Sequence, residues 1–359
     1  MDVRNSSTSR LILILAALAL LLPSCLVNPV STPGSASTTG PGTQDALTAD
    51  TMAGSDDSSA SGDTKLGDAT DGVSPTVELA TVQATATDAA VDPAIGGGAH
   101  TAAVASGVLA TGKLVVLLPD AARVPSQYLA LATAIAQQGH RVLVLATPVS
   151  ALAACAGDTT CLDLARQEMV DGQDRTPAVT VNLANSLTNR LVKALAALDK
   201  SRPGENWGTF YTGMTPLWSQ IAIAGHGEGA SQAAMVAMHQ AVWRAVGLAG
   251  PVDGSGSNAA AWLAAGAATD ATAWRAFSHT KDPASAIIAA AWLAMGLGSS
   301  DAAVSVDGSQ QPGTTVQLLT TSATVADPHA AIAVDGALPA DASAAQHLRN
   351  AWKILFLPY

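Results

Sequence analysis

Gly225-His226-Gly227-Glu228-Gly229 follows the apolar run Ile221-Ala222-Ile223-Ala224 and leads into a small-residue stretch, Ser231 to His239. A strand, a tight turn and a helix in that order form a nucleophile elbow. In the pattern G-x-S-x-G, the middle residue stands on a strained turn with its hydroxyl exposed above a sheet. Here the middle position is Gly227, and glycine carries nothing that can attack an electrophile. Its neighbours offer other chemistry. Ser231 lies one helical turn beyond and reads as packed, or as bonded back to the carbonyl four residues earlier. Glu228 is a carboxylate beside the elbow that either helps activate a water or packs beneath the turn. His226 reads as a hydrogen-bonded scaffold histidine.

The elements that must hold this turn are legible from periodicity. Leu114-Val115-Val116-Leu117-Leu118 is a continuous apolar run ending at Pro119, the pattern of a strand buried on both faces. Pro125 to Gln138 has helical spacing and closes at Gly139, and Arg141 to Ala146 is the next strand. Val181 to Leu198 reads as a long helix with Leu187, Leu191, Leu195 and Leu198 on one face. Gln220 to Ala224 is the central strand, and Trp243 to Ala249 follows the elbow helix. Weaker strands are expected at Trp274 to Ser278 and Thr315 to Thr320, with a terminal helix near Ala342 to Leu355. Alternating strands and helices predict an α/β fold with a doubly wound, mostly parallel sheet. The seven tryptophans are spread along the chain and read as core or rim residues.

The amino-terminal part has a different character. Arg4 and Arg10 precede the apolar run Leu11 to Leu22, which has the length of a signal-peptide core and is short for a membrane span. It ends at Leu22-Pro23-Ser24-Cys25, which resembles a bacterial lipobox and implies cleavage before Cys25 and lipidation of that cysteine. An ordinary secretory signal is the alternative, and Pro23 is unusual in a lipobox. Leu26 is compatible with outer-membrane sorting. Residues 26–112 are rich in Ser, Thr, Ala, Gly and Asp and lack aromatics, so they are expected to form a disordered tether. That segment holds nine Asp and Glu78 against Lys65, most of the chain's net charge of −11. Residues 113–359 are therefore nearly neutral, which argues against a nucleic-acid-binding surface. Cys155 and Cys161, six apart in a Gly/Asp/Thr loop, are expected to form a local disulfide in an oxidising compartment. A metal site there has only Asp158 and Asp163 to complete it.

Taken together, several pieces of the chain resemble a family of bacterial secreted, lipoprotein-type α/β-hydrolase-fold proteins. The pieces are the Leu-Leu-Pro strand end with Ser126-Gln127-Tyr128, the cysteine pair, Asn185 to Leu191, Trp218-Ser219, Ala224-Gly225-His226, Gly250-Pro251-Val252-Asp253, Ser278 to Asp282, His329 and Val334-Asp335. The resemblance implies a sheet of the α/β-hydrolase type over residues 113–359. It also implies a triad in the order nucleophile, acid, histidine. Gly227 takes the vacant nucleophile slot. Asp282 is the acid that orients the imidazole, with Asp253 as runner-up, and His329 is the base. Taken alone, Asp282 is an ordinary loop carboxylate before Pro283, and His329 an ordinary surface-loop histidine. His279 reads as structural.

Two positions depart from the family pattern. Gly227 removes the hydroxyl. Pro119-Asp120-Ala121-Ala122 stands where such proteins carry a glycine-rich turn that lends an N–H to the oxyanion. Asp120 sets a carboxylate where negative charge would have to build. The expected protein is thus an envelope-anchored lipoprotein with a catalytically degenerate domain that binds a small ligand or a protein partner. The alternative is an active esterase or lipase-like hydrolase with a non-standard nucleophile, or with water activated by His329 and Glu228. No cofactor and no metal are expected. The only membrane contact expected is the lipid on Cys25.

Overall fold

The computed structural model describes residues 75–92, 98–121, 123–148, 152–308, 310 and 312–357. The signal segment, Cys25 and residues 26–74 of the expected tether lie outside the described residues. All described residues belong to one unit, Ala69–Tyr359. Among them, no helix is long and apolar enough to cross a membrane.

The sheet strands are β1 (Thr76–Gln83), β2 (Ala99–Ser106), β3 (Leu114–Leu118), β4 (Arg141–Val144), β5 (Ile221–His226), β6 (Arg244–Leu248), β7 (Trp274–His279), β8 (Val304–Ser305) and β9 (Leu318–Thr321). They assemble in the spatial order β1-β2-β4-β3-β5-β6-β7-β9-β8. The pairings from β4 to β8 are parallel, whereas β1 on β2 and β2 on β4 are antiparallel. The helices are α1 (Leu129–Ala136), α2 (Thr159–Asp171), α3 (Leu187–Ser201), α4 (Glu228–His239), α5 (Ser285–Ala294) and α6 (Ala342–Phe356).

The all-apolar central strands follow from burial on both faces. In β3, Leu114, Val116 and Leu118 enter one core with α2, α3 and α4. Val115 and Leu117 enter the other, with α1 and α6. Successive side chains of a strand point to opposite faces, so an unbroken apolar run serves both. The α3 helix begins at Leu187 because Ser186 caps it, its side chain accepting from the Asn189 N–H. Its buried face includes Leu187, Leu191, Leu195 and Leu198, as the spacing predicts. Asp335 accepts from the Leu129 and Ala130 N–H groups and so fixes the start of α1.

Three expectations need correction. The segment expected to be tether contains β1 and β2, which form a hairpin joined to the sheet through β4. Their alternation is built from Thr, Val, Ala and His rather than large aliphatics, so it reads as tether composition, yet His100, Ala102 and Ala103 are buried. The cysteines do not lie in an open loop: Cys155 closes a short 3-10 turn and Cys161 sits in the first turn of α2, where Asp158 caps the helix. They are joined by a disulfide. The helix expected from Val181 starts only at Leu187, after a separate 3-10 turn at Leu183–Asn185. Of the tryptophans, Trp207, Trp292 and Trp352 are fully buried.

Candidate functional site

Strand register brings the site together. Leu118 at the end of β3 pairs with Gly225 on β5, so Pro119 and Asp120 leave the sheet level with His226 and Gly227. On the other side His279 of β7 pairs with Thr321 of β9, and Asp282 and His329 follow those two strands. Three loops therefore converge on the elbow.

At the elbow, Gly227 has φ 53° and ψ −115° between β5 and α4. That conformation is costly for any residue with a Cβ. Gly225 and Gly229 close the turn against each other, since a Cβ on Gly225 would overlap the Gly229 carbonyl oxygen. A Cβ on Gly227 would overlap Asp120 Oδ1, lie 2.6 Å from Asp120 Cγ, and stand 2.7 Å from His329 Nε2. The space a nucleophile would use is thus taken by Asp120. Ala121 follows it in the turn, half-buried.

Asp120 is held from both ends. Its backbone N–H donates to the Tyr128 hydroxyl at 2.9 Å, and its Oδ1 accepts from the Glu228 N–H at 2.8 Å. The Glu228 N–H belongs to the residue after the elbow position and is the first N–H of α4, a favourable place for a negative charge. His329 faces Asp120 and Asp282 together. Its Nδ1 lies 2.8 Å from Asp282 Oδ2, and its Nε2 lies 3.6 Å from Asp120 Oδ2. Asp282 is buried, and its other oxygen accepts from the Ala284 N–H. At the mouth, the Asp120 and His329 side chains keep 18% and 24% of their surface.

Electrostatics follow from this packing. Burial works against charge on His329, but the Asp120 and Asp282 carboxylates override it and push the imidazole up to about 9. Burial likewise disfavours the Asp120 carboxylate, yet His329 and the Glu228 N–H hold it below the usual carboxylate range. At neutral pH the ring is therefore an imidazolium between two carboxylates. A protonated imidazole cannot accept a nucleophile's proton.

His226 is the bolt behind this arrangement. Its Nδ1 is 3.0 Å from the Tyr128 hydroxyl and its Nε2 is 3.0 Å from the His329 carbonyl. Because Tyr128 accepts from Asp120, its O–H is free to donate to Nδ1, which leaves the Nε2 hydrogen for the carbonyl. Burial first, then the neighbouring His329, depress His226 to about 4, so this ring is neutral. His279 is structural: its Nε2 meets the Ala323 carbonyl and its Nδ1 accepts from the Lys281 N–H.

Glu228, although its N–H serves Asp120, turns its carboxylate elsewhere. It pairs with Arg166, whose guanidinium also holds Asp253 bidentately at 3.0 and 2.6 Å. Arg166 is fully buried; burial opposes its charge, but Asp253 and Glu228 hold it above its ordinary value. Burial raises the Glu228 carboxyl in spite of Arg166. Asp253 is committed to Arg166, and it is Asp282 that reaches His329. Ser231 does not bond back along its helix; its hydroxyl accepts from the Val252 N–H at 2.9 Å, tying α4 to the loop after β6.

Arg166 was missed at the level of sequence, although a signal was present. It sits beside Ala165 on the helical face that carries Leu162 and Met169, so an arginine there has to be buried and paired. The Tyr128 hydroxyl relay carried no such signal. Separately, a cavity of about 400 Å³ lies between α2, α4 and the Met214–Trp218 segment, lined by Val170, Pro216 and Met235 among others. It includes none of Asp120, Gly227, Asp282 and His329.

The fold and the convergence of loops define the class: an α/β domain with a carboxylate–imidazolium–carboxylate array at the carboxyl ends of its parallel strands. No protein-family model matches the chain, and no curated protein is significantly similar to it.

One titration follows directly. The His329 ring should change charge near pH 9, read from its imidazole NMR signals, and Asp120→Asn should move that titration toward the ordinary range. Its folded value lies above the unfolded value of about 6.5. The stability it contributes is thus fully present below about 6.5 and lost as pH rises through 9. A ring that titrates at or below 6.5 would contradict this electrostatic picture.

Proposed function

We propose that this chain is an envelope lipoprotein, anchored through lipid on Cys25, whose folded part is an α/β-hydrolase-type domain that has lost acyl-serine chemistry. The remodelled site serves to bind a ligand or partner. The hydrolase-type assignment is supported by chain order: an elbow after the central strand, Asp282 after β7 and His329 after β9. The observation that carries the loss of chemistry is the Asp120 carboxylate. It occupies the elbow's side-chain position and accepts the N–H that would stabilise an oxyanion. Two like charges about 4 Å apart near a protein surface repel by roughly 4 kcal/mol, a large penalty on a transition state that must build negative charge there. His329 is moreover protonated before any reaction starts.

A second reading, hydrolysis through a water activated by His329 and Glu228, is favoured by the intact Asp282–His329 pair. It is weakened because the Glu228 carboxylate is bound to Arg166. The two readings separate in one assay. On acetyl to decanoyl p-nitrophenyl esters, the purified chain should be no faster than its His329→Ala variant and the buffer background. Hydrolysis that disappears with His329→Ala would sink the binding-domain reading in favour of the second.

A further inference from the structure

We propose that Asp120, His226 and His329 form a binding site for a divalent first-row transition-metal ion at the vacated elbow. One donor atom from each residue lies within 4.8 Å of the other two. The Asp120 Oδ2 to His329 Nε2 distance is 3.6 Å. Two ligands each about 2.1 Å from one ion stand about 3.4 Å apart at a tetrahedral angle, so this pair is already near chelating separation. Two nitrogens and one carboxylate oxygen suit zinc, cobalt, nickel or iron rather than calcium or magnesium.

The surroundings have the form of a metal site's outer layer. Ligating histidines normally hold an oxygen partner on their other nitrogen. His329 holds Asp282 on Nδ1, leaving Nε2 toward Asp120. Both His226 nitrogens bond to oxygen, one to Tyr128 and one to the His329 carbonyl. The ion takes one of them in exchange, and the other keeps its partner. Asp120 is oriented independently of the ion, because Oδ1 stays on the Glu228 N–H and only Oδ2 is offered. The proton balance is simple: binding releases the Nε2 proton of His329 to solvent, and the neutral His226 carries its single hydrogen on the nitrogen that the ion does not use, with no net proton change at that ring.

Gly227 acquires a positive role in this account. Any Cβ there would overlap Asp120 Oδ1 and crowd His329 Nε2, so glycine is what lets the two ligands approach. Three protein ligands leave the ion at least one further position, and the partial exposure of Asp120 and His329 opens it to a ligand from solvent. The inference rests on the binding role proposed above and gives it a chemical class.

The test uses the full chain, freed of metal with a chelator and titrated with Co²⁺ and Zn²⁺. Calorimetry reads affinity, and visible absorption reads the cobalt ligand field. One ion per chain should bind, with a ligand-field spectrum of nitrogen and oxygen donors. Asp120→Asn and His329→Gln should each weaken it by at least about tenfold. Gly227→Ala keeps every ligand and fills the space; it should weaken binding comparably, and circular dichroism confirms that each variant is folded. The site is refuted if the chain retains no ion after dialysis, or if all three variants bind as the parent does. Loss of this site with no ester hydrolysis leaves the binding-domain reading standing. Ester hydrolysis by the metal-free chain removes that reading on its own.

Discussion

Gly227→Ser alone should leave the protein inert toward esters, whereas Gly227→Ser combined with Asp120→Gly should hydrolyse short acyl esters at least roughly 10²-fold faster than the parent chain. The single change fails for two reasons visible in the geometry. The new Cβ lands on Asp120 Oδ1, and it must accept φ 53° and ψ −115°. The double change removes the first obstacle, and the second is the strained turn on which the serine of a working elbow also stands. The double change clears the carboxylate, returns the Glu228 N–H to an incoming oxyanion, and takes one of two carboxylates from His329, so the ring falls back toward a working base. Asp282 still holds Nδ1. The check is kcat/KM for the three proteins on acetyl and butyryl esters. Gain in the single variant would show that Asp120 moves aside easily; no gain in the double variant would put the assignment of Asp282 and His329 in doubt.

Arg166→Met should cost about 3–5 kcal/mol of stability, read as a fall in the urea midpoint without change in slope. Arg166 is completely buried and is the cation that faces both Asp253 and Glu228. Removing it strands the buried Asp253 carboxylate and leaves the partly buried Glu228 without its counter-charge, a situation in which breaking a buried ion pair is damaging. Neutralising them as well, with Asp253→Asn and Glu228→Gln, should recover a substantial part of the loss. Because Glu228 opens α4 and supplies the N–H that holds Asp120, the damaged variant should also shift the His329 NMR signals. A cost below about 1 kcal/mol would mean that water reaches this cluster.

Sequence patterns carried the parts of this molecule that depend on local periodicity. The five apolar residues of β3, the leucines of α3 and the glycines of the elbow each have a local cause, and each is found where the pattern puts it. The first hairpin was not legible, because its buried positions are Ala, Thr and His in an Asp-rich stretch. The site divides in the same way. Residue order placed Asp282 and His329 in loops after late strands, and geometry brings them to 2.8 Å. That Asp120 reaches the Glu228 N–H depends on the pairing of Leu118 with Gly225, a register no single segment encodes. Arg166 and its two acids come from three separate elements, and only their burial in one place reveals that they belong together.

The central claim is that the elbow offers no nucleophile and that a carboxylate stands in its place. Intact-mass measurement of the purified chain after exposure to a fluorophosphonate tests it most directly. The parent chain should carry no adduct, and the Gly227→Ser, Asp120→Gly double variant an adduct approaching one per chain. A stoichiometric adduct on the parent, lost with His329→Ala, would contradict the claim.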